Sequence, residues 1–256
     1  MAPRLRIALL LASLFASLGA DYRTENFAVE AATAKVAREV GQAAERLRRT
    51  EARKWLGKEL ATWPDPCLLQ VTLSERVGGV SDFKFLGDRV EQSLRVDGPL
   101  DVILKNVLPH EMTHIILANH FRCPVPRWAD EGIAILAEGA GAKLRHTMQL
   151  RNMQARGAGD ATLRRLLTRH DYPAPEQLDA FYAEAFGITR FLVKAAGRKE
   201  FLAFVSDAMR SDWDSAVEAH YGYRDIEELE ESWRKDVLSA TLPPPQQTTT
   251  SATKAP

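Results

Sequence analysis

The segment from Leu100 to Phe121 constrains the fold more than any other part of the chain. Its apolar residues Leu100, Ile103, Leu104, Val107, Leu108 and Leu117 recur at helical spacing. Val107, Leu108, Met112, Thr113, Ile115 and Ile116 are all uncharged, so this helix has no solvent-facing charged stripe and belongs in an interior. Asp97 is available as its cap and Pro99 falls early in its first turn. Pro109 interrupts the pattern. A proline inside a helix removes a hydrogen bond and costs about 3 kcal/mol, which predicts a kink or a fresh helix start at that point.

The rest of the chain supplies the layers such a helix needs. Of the 256 residues 45% are hydrophobic, enough for a packed core, which excludes disordered and fibrous classes. Lys plus Arg and Asp plus Glu each number 34, so no net field recruits nucleic acid or an anionic membrane, and no nucleic-acid partner is expected. From Glu30 to Gly57 apolar residues at helical spacing and a Gly stop predict a long surface-packed helix. The breaker cluster 62–66 precedes a short apolar strand, Leu68 to Leu73, and a turn at Gly78-Gly79. Segments Asp82 to Leu86 and Arg89 to Val96 flank Gly87-Asp88 as a hairpin. Beyond Arg127 nearly everything reads as helix, with Ser206 to His220 and Ile226 to Leu238 as amphipathic pieces. No internal repeat is present. The class is α+β: a small mixed or antiparallel sheet, then the histidine-bearing helix, then a mainly helical C-terminal half.

Both ends read differently from the middle. Arg4 and Arg6, the apolar run Ile7 to Leu18, and small Gly19 and Ala20 before Asp21 have the layout of an export signal cut near Ala20. The run is shorter than the roughly 17–25 residues of a spanning helix, so an exported protein, periplasmic or secreted, is expected, with no transmembrane span after cleavage. The expected organisation is therefore a signal at 1–20, one domain at 21–241 and a disordered Pro/Thr-rich tail at 242–256. Cys67 and Cys123 are the two cysteines, without CxxC spacing. In an oxidising compartment a disulfide between them and two separate buried thiols both fit the sequence.

Within the buried helix lies His110-Glu111-Met112-Thr113-His114, an HExxH sequence. Residues four apart lie about 40° apart in projection and about 6 Å apart along the axis, so both imidazoles can converge on one tetrahedral Zn2+ ion. Glu111 then leans over the open coordination position, where it can act as a base toward a metal-bound water.

A catalytic zinc takes a third protein ligand. His120 stands where the pattern HExxHxxGxxH places its third histidine, but Leu117 replaces the glycine that would turn the chain. On a continuing helix His120 points away from the metal, which leaves it a supporting or surface role. Glu131 is the better candidate: Pro124 and Pro126 end the first helix, and a returning helix at Trp128 to Ile135 carries Glu131 back toward the histidines. An exposed first-turn glutamate favoured by the helix dipole is the alternative, and would also account for Asp130. As part of a metal site, Asp130 is suited to orienting a ligand histidine.

HEMTH followed by Glu131 in the context PRWADEGIA resembles the gluzincin zinc peptidases, in particular the bacterial exported peptidase MA-like domains. The likeness extends from about Thr24 to Trp233, through YAEAFGITRFLV (Tyr182 to Val193) and YGYRDIEELEESW. It implies a zincin-like, thermolysin-like arrangement, with His110, His114 and Glu131 as ligands of one zinc, Glu111 as the base, and a peptide or protein substrate. The resemblance also implies a downstream tyrosine or histidine that donates to the oxyanion. Tyr182, in the resembling segment, is the first choice among Tyr182, His170, Tyr172, His220, Tyr221 and Tyr223; a tyrosine beside Phe181 and Phe186 is also often simply core. Pro109 departs from the family pattern. Two other readings remain: a non-catalytic zinc-stabilised binding module, against which the intact Glu111 argues, and a metal-free helical scaffold.

Overall fold

The computed structural model describes residues 20–156 and 162–239; the expected signal, apart from Ala20, and the expected tail lie outside the described residues. Strands β1 (Ala20–Arg23) and β2 (Phe27–Ala31) pair antiparallel. Helix α1 (Ala34–Leu56) follows, opened by the Thr33 hydroxyl, which accepts from the Val36 N–H at 3.3 Å, and closed by Gly57. The helix expected from Glu30 thus begins four residues later. In Phe27-Ala28-Val29-Glu30-Ala31 the first, third and fifth residues are buried and Glu30 is exposed, the period-two pattern of a strand within an otherwise helix-like composition.

Strands β3 (Cys67–Leu73), β4 (Gly78–Leu86) and β5 (Arg89–Gly98) complete a mixed sheet in the order β1-β2-β3-β5-β4. The expected hairpin forms, with β5 returning between β4 and β3, parallel to the latter. This leaves β4 as a sheet edge beside the central helix. Asp97 does not cap that helix: it belongs to β5, and Pro99 takes the N-cap position.

Helix α2 (Leu100–Val102) runs through a π-helical turn, Ile103–Val107, into α3 (Leu108–Phe121). The Leu108 N–H reaches back five residues to the Ile103 carbonyl. Pro109 therefore sits in the first turn of α3, where its missing N–H is no loss, and the wide turn absorbs the mismatch.

Helices α4 (Arg127–Ala137), α5 (Ala140–Ala155), α6 (Leu163–Leu167), α7 (Leu178–Ala208), α8 (Trp213–Tyr221) and α9 (Ile226–Ser239) form the second half. Within α7 Gly197, at φ 86° and ψ 169°, divides the helix by a conformation a side chain would resist. The amphipathic piece expected over Ser206 to His220 is split, because Asp212 caps α8 by accepting from the Ser215 N–H at 2.9 Å.

Ten of the fourteen residues of α3 are buried, and the reason is its place between two cores. Met112, Ile115 and Ile116 pack with Phe27, Leu69, Leu94 and Val40 under the sheet. Leu117 joins Trp128, Ile133, Ile188, Phe201 and Phe204 of the helical half. Each fully buried aliphatic side chain of this kind contributes about 1.5–3 kcal/mol, so α3 and the groups it carries are held from both sides. The two cysteines are free thiols: Cys67 is buried in the sheet core, whereas Cys123 lies in the loop after α3 and lines the cleft.

Candidate active site

Two neighbouring elements converge on the solvent-facing edge of α3. On one side runs β4. On the other α4 returns after a left-handed residue, Arg122 (φ 55°), and the Pro124 and Pro126 segment. Between them opens a cleft of about 620 Å³ lined by Gly79, Ser81 and Phe83 of the strand, His110, Glu111 and His114 of α3, Glu131 of α4, and Tyr172 and Tyr182.

The helical repeat sets His110 and His114 edge to face with ring centroids 4.9 Å apart. Glu131 Oε2 lies 3.3 Å from His110 Nε2 and 3.8 Å from His114 Nε2. One ligand atom from each of the three residues falls within 4.8 Å of the others. Ligands about 2.0–2.2 Å from a tetrahedral ion stand about 3.4 Å from one another, so the separations to Glu131 fit a single ion, and a two-nitrogen, one-oxygen donor set suits zinc.

The other ring nitrogens are engaged too. His114 Nδ1 donates to Asp130 Oδ1 at 2.7 Å, the orienting role that the sequence allowed for Asp130. His110 Nδ1 donates to Glu138 Oε1 at 2.8 Å. Sequence reasoning missed Glu138; its separation of seven residues from Glu131, two helical turns, is the signal that points to it. Both bonds turn the Nε2 atoms toward the centre.

Charge in the cluster is tightly compensated. Burial by itself favours neutral imidazoles, but Glu131 and Glu138 hold the His110 ring up to about 10, and Asp130 and Glu131 hold His114 up to about 9. Burial by itself would raise Glu131, yet His114 and His110 keep it down to about 2. Three buried or half-buried carboxylates thus require positive charge between the two rings. A divalent cation supplies that charge while leaving the imidazoles neutral as ligands.

Glu111 is 6% exposed and does not join the ligand set. Its Oε2 accepts from Ser81 Oγ at 2.5 Å, and a Cβ placed on Gly79 would meet its Oε1 at 2.5 Å. The edge strand therefore holds the Glu111 carboxylate from across the cleft, through two residues that no local motif marks.

The oxyanion candidates separate by position. Tyr182, half-buried on α7, lines the cleft; burial first, then the charges of Glu131 and Glu111, push its hydroxyl up to about 12 and keep it a proton donor. The Tyr172 hydroxyl donates to Glu131 Oε1, and its ring lies under Arg127 at 4.9 Å. The remaining four are elsewhere. His170 lines a separate cavity with Arg169 and Asp212. His220 bridges Glu200 and Asp207, Tyr221 meets Phe204 edge to face, and the Tyr223 hydroxyl pairs with Ser232. His120 is exposed against Phe121 and outside the cluster, in agreement with the geometry expected of it.

A mixed sheet flanking a central helix, with two histidines on that helix and a carboxylate on the next around a potential metal position, defines a peptidase-like fold. A family model described as the peptidase MA superfamily matches residues 100–239, more than half of the chain, from the start of α2 to the end of α9. The chain belongs to the peptidase MA superfamily. No curated protein and no solved structure matches it.

Proposed function

We propose that the protein is an exported, zinc-dependent peptidase of the gluzincin type, with His110, His114 and Glu131 as the zinc ligands and Glu111 as the general base. The observation that carries this reading is the convergence of those three ligand atoms within 4.8 Å in a cleft that Glu111 also lines. Zinc bound there would polarise a substrate carbonyl and lower the pKa of a bound water to near 7.

The residues of the chain divide the remaining work. Glu111, steadied by Ser81, takes the proton of the attacking water and hands it to the departing amine. Tyr182 donates its hydroxyl proton as a hydrogen bond to the developing oxyanion. Asp130 and Glu138 fix the imidazole tautomers, and Tyr172 orients the carboxylate of Glu131. Edge strand β4 offers unpaired backbone groups alongside which an extended peptide can lie, so peptide or protein is the substrate class.

Export rests on the sequence of the first twenty residues. No helix of the described residues is long and apolar enough to cross a membrane. The N-terminal sequence of the mature protein tests it.

Metal analysis of the purified protein beside Glu131→Ala, with peptide hydrolysis by wild type and Glu111→Gln, tests the mechanism. About one zinc per chain, much less in Glu131→Ala, and a loss of 10²–10⁴-fold in rate with zinc retained in Glu111→Gln are expected. Hydrolysis at the wild-type rate by Glu111→Gln would refute the mechanism.

A further inference from the structure

Beside the cleft, on the His110 side, opens a second cavity of about 290 Å³ that shares Gly79, His110, Glu111 and Tyr182 with it. Its apolar walls are Val77, Val102, Val107 and Ile135, and helix α5 contributes Arg145 and His146. A substrate group entering it therefore sits next to the scissile bond, where Glu111 would activate the attacking water.

Two polar groups in this cavity have no protein partner among the described residues. Arg145 is exposed and makes no ion pair or hydrogen bond among the described residues. His146 Nδ1 is fully buried with no hydrogen-bond partner, its ring against Phe186 at 5.9 Å. A buried imidazole nitrogen without a partner is unfavourable, and a ligand toward which the ring turns restores the missing bond. The carboxylates that also line the cavity are committed: Glu138 accepts from His110, and Glu111 from Ser81. What the cavity lacks is an acceptor for an arginine and a histidine, above an aliphatic wall.

We infer that this cavity is a specificity pocket for a substrate carboxylate carried next to the scissile bond on a short apolar stem, with Arg145 and His146 as its recognising residues. The inference rests on the peptidase reading for its placement. A planar guanidinium matches a carboxylate in bidentate fashion, and the His146 ring, turned toward the cavity with its proton on Nδ1, would add a second donor. The carboxylate can come from a glutamate or aspartate side chain or from the end of the peptide.

The test is an anisotropy titration of the zinc-loaded Glu111→Gln protein, which does not consume its probe, with labelled hexapeptides. One set is amidated at the C-terminus and carries Glu, Gln, Leu or Lys at either central position. A further peptide has Leu and a free terminal carboxylate. Binding of a Glu peptide at least about tenfold tighter than its Gln and Leu counterparts, with the preference removed by Arg145→Ala and reversed toward Lys by Arg145→Glu, is expected. An equivalent advantage confined to the free terminal carboxylate, and likewise lost in Arg145→Ala, identifies the chain end as the source. Equal binding of all peptides, a preference that survives Arg145→Ala, or no binding overturns the inference. Hydrolysis of the same peptides by the wild type, read by mass spectrometry, is scored separately. An acidic preference in binding without hydrolysis removes the peptidase reading alone; hydrolysis without that preference removes the pocket alone.

Discussion

Gly79 of β4 and Glu111 of α3 meet so closely that a methyl group on Gly79 would stand 2.5 Å from Glu111 Oε1 and 2.7 Å from its Cγ. The strand and the helix are far apart in sequence, and this contact fixes where the carboxylate of Glu111 can lie. Gly79→Ala forces the carboxylate to move. A displacement of about 1 Å in a catalytic group costs on the order of 10²-fold in rate, so kcat falls by about that factor. Zinc content stays at the wild-type level, because no ligand touches residue 79. Equal kcat in the variant would mean that the strand does not position the base.

Glu138 holds His110 as Asp130 holds His114, at 2.8 and 2.7 Å. Glu138→Gln and Asp130→Asn each leave a hydrogen-bonding side chain of the same shape while removing its charge. Each weakens zinc affinity by about 10–100-fold, measured by competition with a chromogenic chelator. Affinity unchanged in Glu138→Gln would reduce that residue to a surface acid.

The two cleft tyrosines part company under substitution. Tyr182→Phe lowers kcat by about 10²–10³-fold with little change in zinc affinity, the signature of a lost oxyanion donor. Tyr172→Phe frees one oxygen of Glu131 and weakens zinc binding more than it changes kcat. The opposite pattern, kcat lost in Tyr172→Phe and preserved in Tyr182→Phe, transfers the donor role to Tyr172.

Away from the cleft, His220 of α8 ties α7 through Glu200 Oε1 at 2.6 Å and Asp207 Oδ2 at 2.8 Å. Burial of the ring works against its proton, but the two carboxylates outweigh burial and raise its pKa above 6.5. A group whose pKa is raised on folding stabilises the fold fully below its unfolded pKa and loses that contribution as pH rises through the folded value. The melting temperature of the wild type therefore exceeds that of His220→Gln by about 1–3 °C near pH 5.5, and the gap closes at alkaline pH. A gap that widens with pH would reverse the assignment.

Some of this architecture is written locally. HExxH needs only the helical repeat, and the buried character of α3 follows from its uncharged flanks. Glu131 and Asp130 are legible because prolines at 124 and 126 force a return, and the β4–β5 hairpin because Gly87-Asp88 separates two strand-like runs. Pro109, an apparent conflict with the helix, becomes a helix start once the π-helical turn before it is seen.

By itself, then, the sequence pointed to His110, His114 and Glu131 as a group that could hold a metal, and determined the α+β order of elements and the need to bury α3, since each depends on residues within a helical turn or two or on a short turn. Tertiary structure alone decided which strand forms the sheet edge over Glu111, that a side chain at residue 79 would displace the Glu111 carboxylate, that Ser81 donates to that carboxylate, and that Arg145 and His146 line a cavity beside it. Those relationships join residues tens of positions apart. Spacing along a chain carries no signal for such pairs, and only the packing of β4, α3 and α5 around one cleft brings them into contact.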